Sequence, residues 1–178
     1  FEEAVATFAK TVKLGVKYGA DCIFIETMSD SYETKAAVLA AKENSSLPIF
    51  VSCAYGNDGK LMTGASPEAM VAMLEGLGVD ALGANCSLGP KQLKEVVERL
   101  LAVSSLPVII KPNAGLPRVE KGETVYDCTK EEFASYMQDF ARMGARMLGG
   151  CCGTTPEYIK ETVTATKEIA PAPIGDKN

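Results

Sequence analysis

Two adjacent thiols occur in the segment Gly149-Gly150-Cys151-Cys152-Gly153-Thr154-Thr155, between an apolar run at 145–148 and the helix-opening pair Pro156-Glu157. Glycines on both sides let the backbone approach a bound object closely and take φ values that residues with a Cβ avoid. A further thiol, Cys86, closes the segment Gly83-Ala84-Asn85-Cys86. The chain has no histidine, so the commonest general base and metal ligand is missing and any zinc site must rely on sulfur and oxygen. A structural zinc site uses four protein ligands, and a catalytic one leaves a position for water or substrate. Three thiolates with no histidine leave that position open.

A soft, sulfur-rich site suits another thiol as its guest. A free thiol is only a few per cent ionised at pH 7, a deficit of roughly 2 kcal/mol. Metal binding removes that deficit by deprotonating the sulfur outright. With three protein thiolates already bound, electron density stays on the guest sulfur, so the expected chemistry is alkyl transfer to a thiol rather than hydrolysis. Two other readings of the same residues stay open. One is a vicinal-thiol redox module, although a disulfide between neighbours strains the intervening peptide. The other is a non-catalytic zinc or metal-storage module. Buried free cysteines also pack as small hydrophobes, the role expected for Cys22 and Cys53; Cys128 falls in a loop.

The elements that must position these thiols alternate regularly. Short apolar runs beginning at residues 21, 48, 79, 106 and 145 read as strands, the first of them (21–25) buried on both faces. Helices separate them. Asp30 with Glu33 and Thr129 with Glu132 have the spacing of capping boxes, and Ser66-Pro67-Glu68 places an N-cap, a proline and a first-turn acid in order. The span 116–128 reads as a long loop, and the last helix should end near residue 169. Five βα units imply a parallel α/β sheet, either open and doubly wound or part of an eight-stranded βα barrel. A full barrel takes about 250 residues, so five units need roughly 155, close to what lies between residues 21 and 169. In both architectures chemistry collects at the C-terminal strand ends, which here carry Glu26, Ser52, Cys86, Asn113 and the Cys151-Cys152 pair. Lys111, just before Pro112, reads as a snorkelling lysine.

Net charge is −5 and no stretch gathers Lys and Arg into a stripe, which argues against nucleic acid or an anionic membrane as partner. No apolar run approaches the 18 residues of a membrane span. Six cysteines without small-protein spacing or a secretory leader point to reduced thiols in a cytoplasm. The opening in mid-helix, without an initiator Met, suggests a piece of something longer.

Gly83-Ala84-Asn85-Cys86, Asn113-Ala114-Gly115-Leu116-Pro117 and Gly149-Gly150-Cys151-Cys152-Gly153-Thr154-Thr155-Pro156, in this order, resemble the homocysteine S-methyltransferase family, most of all the homocysteine-binding barrel of its cobalamin-dependent members. The resemblance covers about residues 21–169. It implies a (β/α)8 TIM barrel of which this chain carries about the last five βα units: residues 1–170 as strands 4 to 8 of the homocysteine-binding barrel, and 171–178 as a linker. It further implies zinc held by Cys86, Cys151 and Cys152, with the homocysteine sulfur in the open position, and Glu26 accepting the substrate ammonium group. Asn113 either stabilises its own turn or places its amide oxygen in the open zinc position. Ser52 is a candidate donor to the substrate carboxylate. The product is methionine. The family's donors are methylcobalamin regenerated from methyltetrahydrofolate, betaine or S-methylmethionine; Asn-Ala-Gly-Leu-Pro and the linker favour the first. Folate-binding and cobalamin-binding modules of the same polypeptide are then the implied partners. Relative to the family pattern the first three strands are missing, so this piece alone is expected to be inactive and not independently stable.

Overall fold

The computed structural model describes residues 1–175. Among them, α1 (Glu2–Lys17) leads into β1 (Ile23–Met28), followed by α2 (Ser31–Asn44), β2 (Ile49–Cys53), α3 (Pro67–Gly76), β3 (Ala81–Asn85), α4 (Pro90–Val103) and β4 (Val108–Lys111). A hairpin, β5 (Pro117–Glu120) with β6 (Glu123–Tyr126), then precedes α5 (Lys130–Met143), β7 (Met147–Leu148) and α6 (Pro156–Thr166). The main sheet has the order β1-β2-β3-β4-β7 and every neighbouring pair is parallel. The expected parallel α/β sheet of five strands is therefore present. No helix of the described residues is long and apolar enough to cross a membrane.

The caps read from sequence form. Asp30 Oδ1 accepts from the Glu33 amide at 2.6 Å and Thr129 Oγ1 from the Glu132 amide at 3.2 Å; each such cap stabilises its helix by about 1 kcal/mol. The helices pack on the sheet through Val38, Leu93, Val97, Phe133 and Phe140, all fully buried, against Val51, Leu82 and Ile110. β3 is buried along its whole length, as a strand covered on both faces must be. At Gly83 a Cβ would lie 1.9 Å from the Ile109 carbonyl oxygen, so the β3–β4 pair closes only over a residue without a side chain.

Four expectations change. β1 starts at Ile23 and runs on through Glu26 and Thr27, and Phe24 is 40% exposed rather than buried, because it stands on the face of β1 that carries Glu26, opposite the face through which Ile23 and Ile25 pack on the core. Cys22, just outside that edge strand, is exposed rather than packed. The span 116–128 holds the β5–β6 hairpin, whose two-residue turn at Lys121 (φ 51°) and Gly122 (φ 85°) is left-handed, the conformation tight hairpins select. β7 has only two residues, and α6 stops at Thr166. Residues 171–175 of the expected linker carry no helix or strand; 176–178 lie outside the described residues.

Candidate metal centre

Cys86 follows β3 directly, and Cys151 and Cys152 lie between β7 and α6. Because β3 and β7 flank β4, the two segments meet above the end of that strand. The Cys86 and Cys152 Sγ atoms are 3.7 Å apart and those of Cys151 and Cys152 3.9 Å, with all three within 4.8 Å of one another. These are not disulfides; all three are free, and an S–S bond is about 2.05 Å long. Sulfurs about 2.3 Å from a tetrahedral zinc stand roughly 3.8 Å apart. The spacing and donor set therefore fit a divalent thiophilic ion. Without a cation the cluster resists charge: burial first, then the neighbouring Cys86, pushes the Cys151 thiol up to about 11.

The tail of β4 braces the site through backbone bonds. Cys86 N donates to Lys111 O at 3.1 Å, Cys151 N to Pro112 O at 2.9 Å, and Ala114 N to Cys152 O at 2.9 Å. Asn113 is buried, and its amide oxygen accepts from Cys152 N at 3.1 Å. Cys86 and Ser87 both have positive φ, at 61° and 58°. Such backbone costs about 1–3 kcal/mol per residue and persists only where its surroundings hold it. Gly153 takes φ 78°, and a Cβ there would lie 2.3 Å from the Tyr126 ring. Tyr126 thus covers the cysteine turn from the hairpin; burial and the Cys152 thiol raise its phenol pKa.

Glu26 sits at an irregularity of the sheet. Ile25 pairs with Val51 and Met28 with Cys53, so Glu26 and Thr27 together oppose the single residue Ser52. This is a bulge, a feature that re-aims side chains beside functional sites. The Glu26 carboxylate forms an ion pair with Lys111 Nζ, which also lies 4.9 Å from the Phe24 ring centroid. Lys111 thus keeps its stem over Gly149, as a snorkelling lysine does, but its head is bound to a partner rather than to water alone. Ser52 is fully buried, and its hydroxyl donates to Asn85 Oδ1 at 2.7 Å.

The fold thus brings the three cysteines and Asn113 into direct contact, joins Glu26 to the same mouth through Lys111, and places Ser52 beneath it. Sequence reasoning gave Asn85 and Tyr126 no role. The signal for Tyr126 was the Lys121-Gly122 pair between two β-prone runs, which announces the hairpin that delivers it.

The family model described as homocysteine S-methyltransferase matches residues 1–166. The methionine synthases of Mycobacterium leprae (strain TN) and Mycobacterium tuberculosis (strain ATCC 25618 / H37Rv) are 36% and 35% identical over 153 and 157 residues, covering 83% and 85% of this chain. The chain spans only 13% of the length of either. Among solved structures, the homocysteine methyltransferase MmuM from Escherichia coli superposes in its apo form with TM-score 0.73 at 24% identity, and in its metallated form with TM-score 0.74 at 25%. These matches cover 91% of this chain and 57% and 52% of MmuM. The family match runs through all three motifs that carry the cysteine cluster, and this chain belongs to the homocysteine S-methyltransferase family.

Proposed function

We propose that the chain is the metal-bearing part of a homocysteine-binding (β/α)8 barrel, strands 4 to 8, that transfers a methyl group to homocysteine to give methionine. The observation that carries this is the spacing of the three sulfurs, matched to tetrahedral zinc, with no other Cys, Asp or Glu grouped with them among the described residues. Zinc held by Cys86, Cys151 and Cys152 would supply the Lewis acidity that lowers the pKa of the homocysteine thiol, so that it releases its proton to solvent and stays a thiolate at neutral pH. Glu26 binds the substrate ammonium after exchanging its Lys111 partner. Asn113 fixes the Cys152 backbone, and its carbonyl oxygen has a second lone pair to face the open position until substrate arrives. Ser52, read from the sequence as a candidate donor to the substrate carboxylate, is buried and gives its hydroxyl to Asn85 instead. In the transfer a sulfur–methyl bond forms, the donor–methyl bond breaks with its electron pair staying on the donor, and the thiol proton goes to solvent.

The edges of β1 and β7 each lack an outer neighbour among the described residues, which supports closure by further βα units. The small share of the mycobacterial relatives covered supports additional modules, and with them methylcobalamin, regenerated from methyltetrahydrofolate, as the donor. Six free thiols support a reducing, cytoplasmic setting.

The test uses the natural full-length polypeptide. One tightly bound zinc per chain is expected by elemental analysis. In the cobalt(II)-substituted protein, homocysteine should change the thiolate charge-transfer absorption. Metal that ignores homocysteine would reassign the centre as structural. A metal-free protein that loses two thiols on mild oxidation would make it a redox pair.

A further inference from the structure

Asn85 is fully buried at the end of β3, and every polar atom of its side chain has partners. Its amide oxygen accepts from the Thr27 backbone N–H at 3.1 Å and from Ser52 Oγ at 2.7 Å. Its amide nitrogen donates to Thr27 Oγ1 at 2.7 Å and towards Cys151 Sγ at 3.9 Å. The orientation is fixed by chemistry, because a backbone N–H can only donate and so must face the amide oxygen. The nitrogen is thereby directed at the Thr27 hydroxyl and the thiol. Asn85 also fills the β1 bulge: it grips the peptide nitrogen that joins Glu26 to Thr27 and the one residue, Ser52, that opposes them. Thr27 has φ 64°, a region β-branched residues occupy only under constraint, and two bonds from Asn85 supply that constraint.

We infer that Asn85 is the positioning residue that sets the Glu26 carboxylate in register with the Cys151 thiol, so that the two ends of one small amino acid meet their partners together. It touches neither substrate nor methyl donor. It acts through the Glu26–Thr27 peptide on one side and through an N–H on the metal-binding sulfur on the other. This rests on the roles of Glu26 and the cysteines proposed above.

The experiment is a double-mutant cycle on the zinc-loaded full-length protein, read by calorimetric titration with homocysteine, with cobalt(II) absorption as a second readout. Asn85→Ala should weaken homocysteine binding about tenfold, with zinc still bound at one per chain. Combined with Glu26→Gln, the loss should be clearly smaller than the product of the two single losses, because the Glu26 arm of Asn85 is already gone and only its N–H on the sulfur is left to lose. In cobalt(II) protein, Asn85→Ala should move the thiolate charge-transfer band to longer wavelength as the N–H leaves the sulfur, and Glu26→Gln should leave it in place. Thr27→Val, which keeps the branched shape but removes the hydroxyl, covers the case in which Asn85→Ala fails to fold; it should weaken binding about threefold, again falling short of the product when combined with Glu26→Gln. Losses that multiply, or an Asn85→Ala protein that binds homocysteine as the parent does, overturn the inference and leave the proposed function standing. A Glu26→Gln protein with unchanged affinity instead overturns the ammonium role, and the inference falls with it.

Discussion

Replacing Lys111 with Met tests how substrate reaches Glu26. In the structure the Lys111 ammonium already occupies the carboxylate, so a substrate ammonium bound there as proposed must displace it. The side chains are 24% and 40% exposed, which places the pair among partly solvated ion pairs worth about 0.2–1 kcal/mol. The Phe24 ring, 4.9 Å from Nζ, adds about 0.5–1 kcal/mol that survives a small swing of the head group. Only the ion pair opposes substrate. Lys111→Met keeps the apolar stem that lies over Gly149 and removes the competing charge, so homocysteine should bind more tightly, by at most about fivefold for 1 kcal/mol. Calorimetric titration of the zinc-loaded full-length protein measures this directly. The gain should shrink with added salt, because salt weakens the parent's half-exposed pair. A tenfold or greater loss of affinity would refute the reasoning and show that Lys111 itself touches the substrate, its carboxylate being the obvious acceptor.

Alkylation of the metal-free protein should label Cys22, Cys86, Cys151 and Cys152 and spare the buried Cys53 and Cys128; zinc should reduce the labelled set to Cys22, read by peptide mass spectrometry. Gly153→Ala forces a Cβ into φ 78° and against the Tyr126 ring, so it should destabilise the cysteine turn by about 1–2 kcal/mol and speed deuterium uptake in the peptides covering the hairpin and residues 149–155. Burial pushes the Cys53 thiol from 9.0 up to about 12, so its contribution is intact below pH 9 and is lost as pH rises from 9 towards 12. The whole loss is about 4 kcal/mol, and Cys53→Ala should flatten that alkaline limb in thermal unfolding. Thr27→Gly relieves the left-handed backbone but leaves the buried Asn85 amide without its hydroxyl partner, so stability should change little while homocysteine binding weakens; tighter binding would contradict the role given to the bulge.

The elements were legible where local chemistry decides them. Asp30, Ser66 and Thr129 announce their helices because a capping side chain needs only its own next turn, and each takes the amide three residues on. The cysteine cluster was legible because strand ends in a parallel sheet share one rim, so 65 residues of sequence between Cys86 and Cys151 do not matter. What sequence could not give depends on neighbours. Ser52 looked like a group on the rim, but it is fully buried and its hydroxyl is bound to Asn85 of the neighbouring strand. Phe24 looked buried because its strand is apolar, and only the packed structure shows that the helices cover the Ile23 and Ile25 face of β1 and not the face Phe24 shares with Glu26. Lys111 looked solitary, since its partner lies 85 residues away at the opposite side of the same mouth.

Among the described residues, four non-glycine positions have positive φ, and three of them, Thr27, Cys86 and Ser87, lie at the thiol cluster. The fourth, Lys121, belongs to a tight turn where that conformation is ordinary. Conformational cost is therefore concentrated where geometry must be held, and the braces are specific: Leu88 N returns to Cys86 O at 2.6 Å, Asn113 N donates to Leu88 O at 3.0 Å, and Asn85 holds Thr27. Each brace comes from β3, the loop that follows it or the β4 tail, at the interior of the sheet. This division explains how a site can span the whole strand row and still be rigid at its centre. Cys86 follows the central strand β3 and the Cys151-Cys152 turn after the edge strand β7 is tied to the β4 tail, while Glu26 on the other edge depends on one buried amide to keep its place.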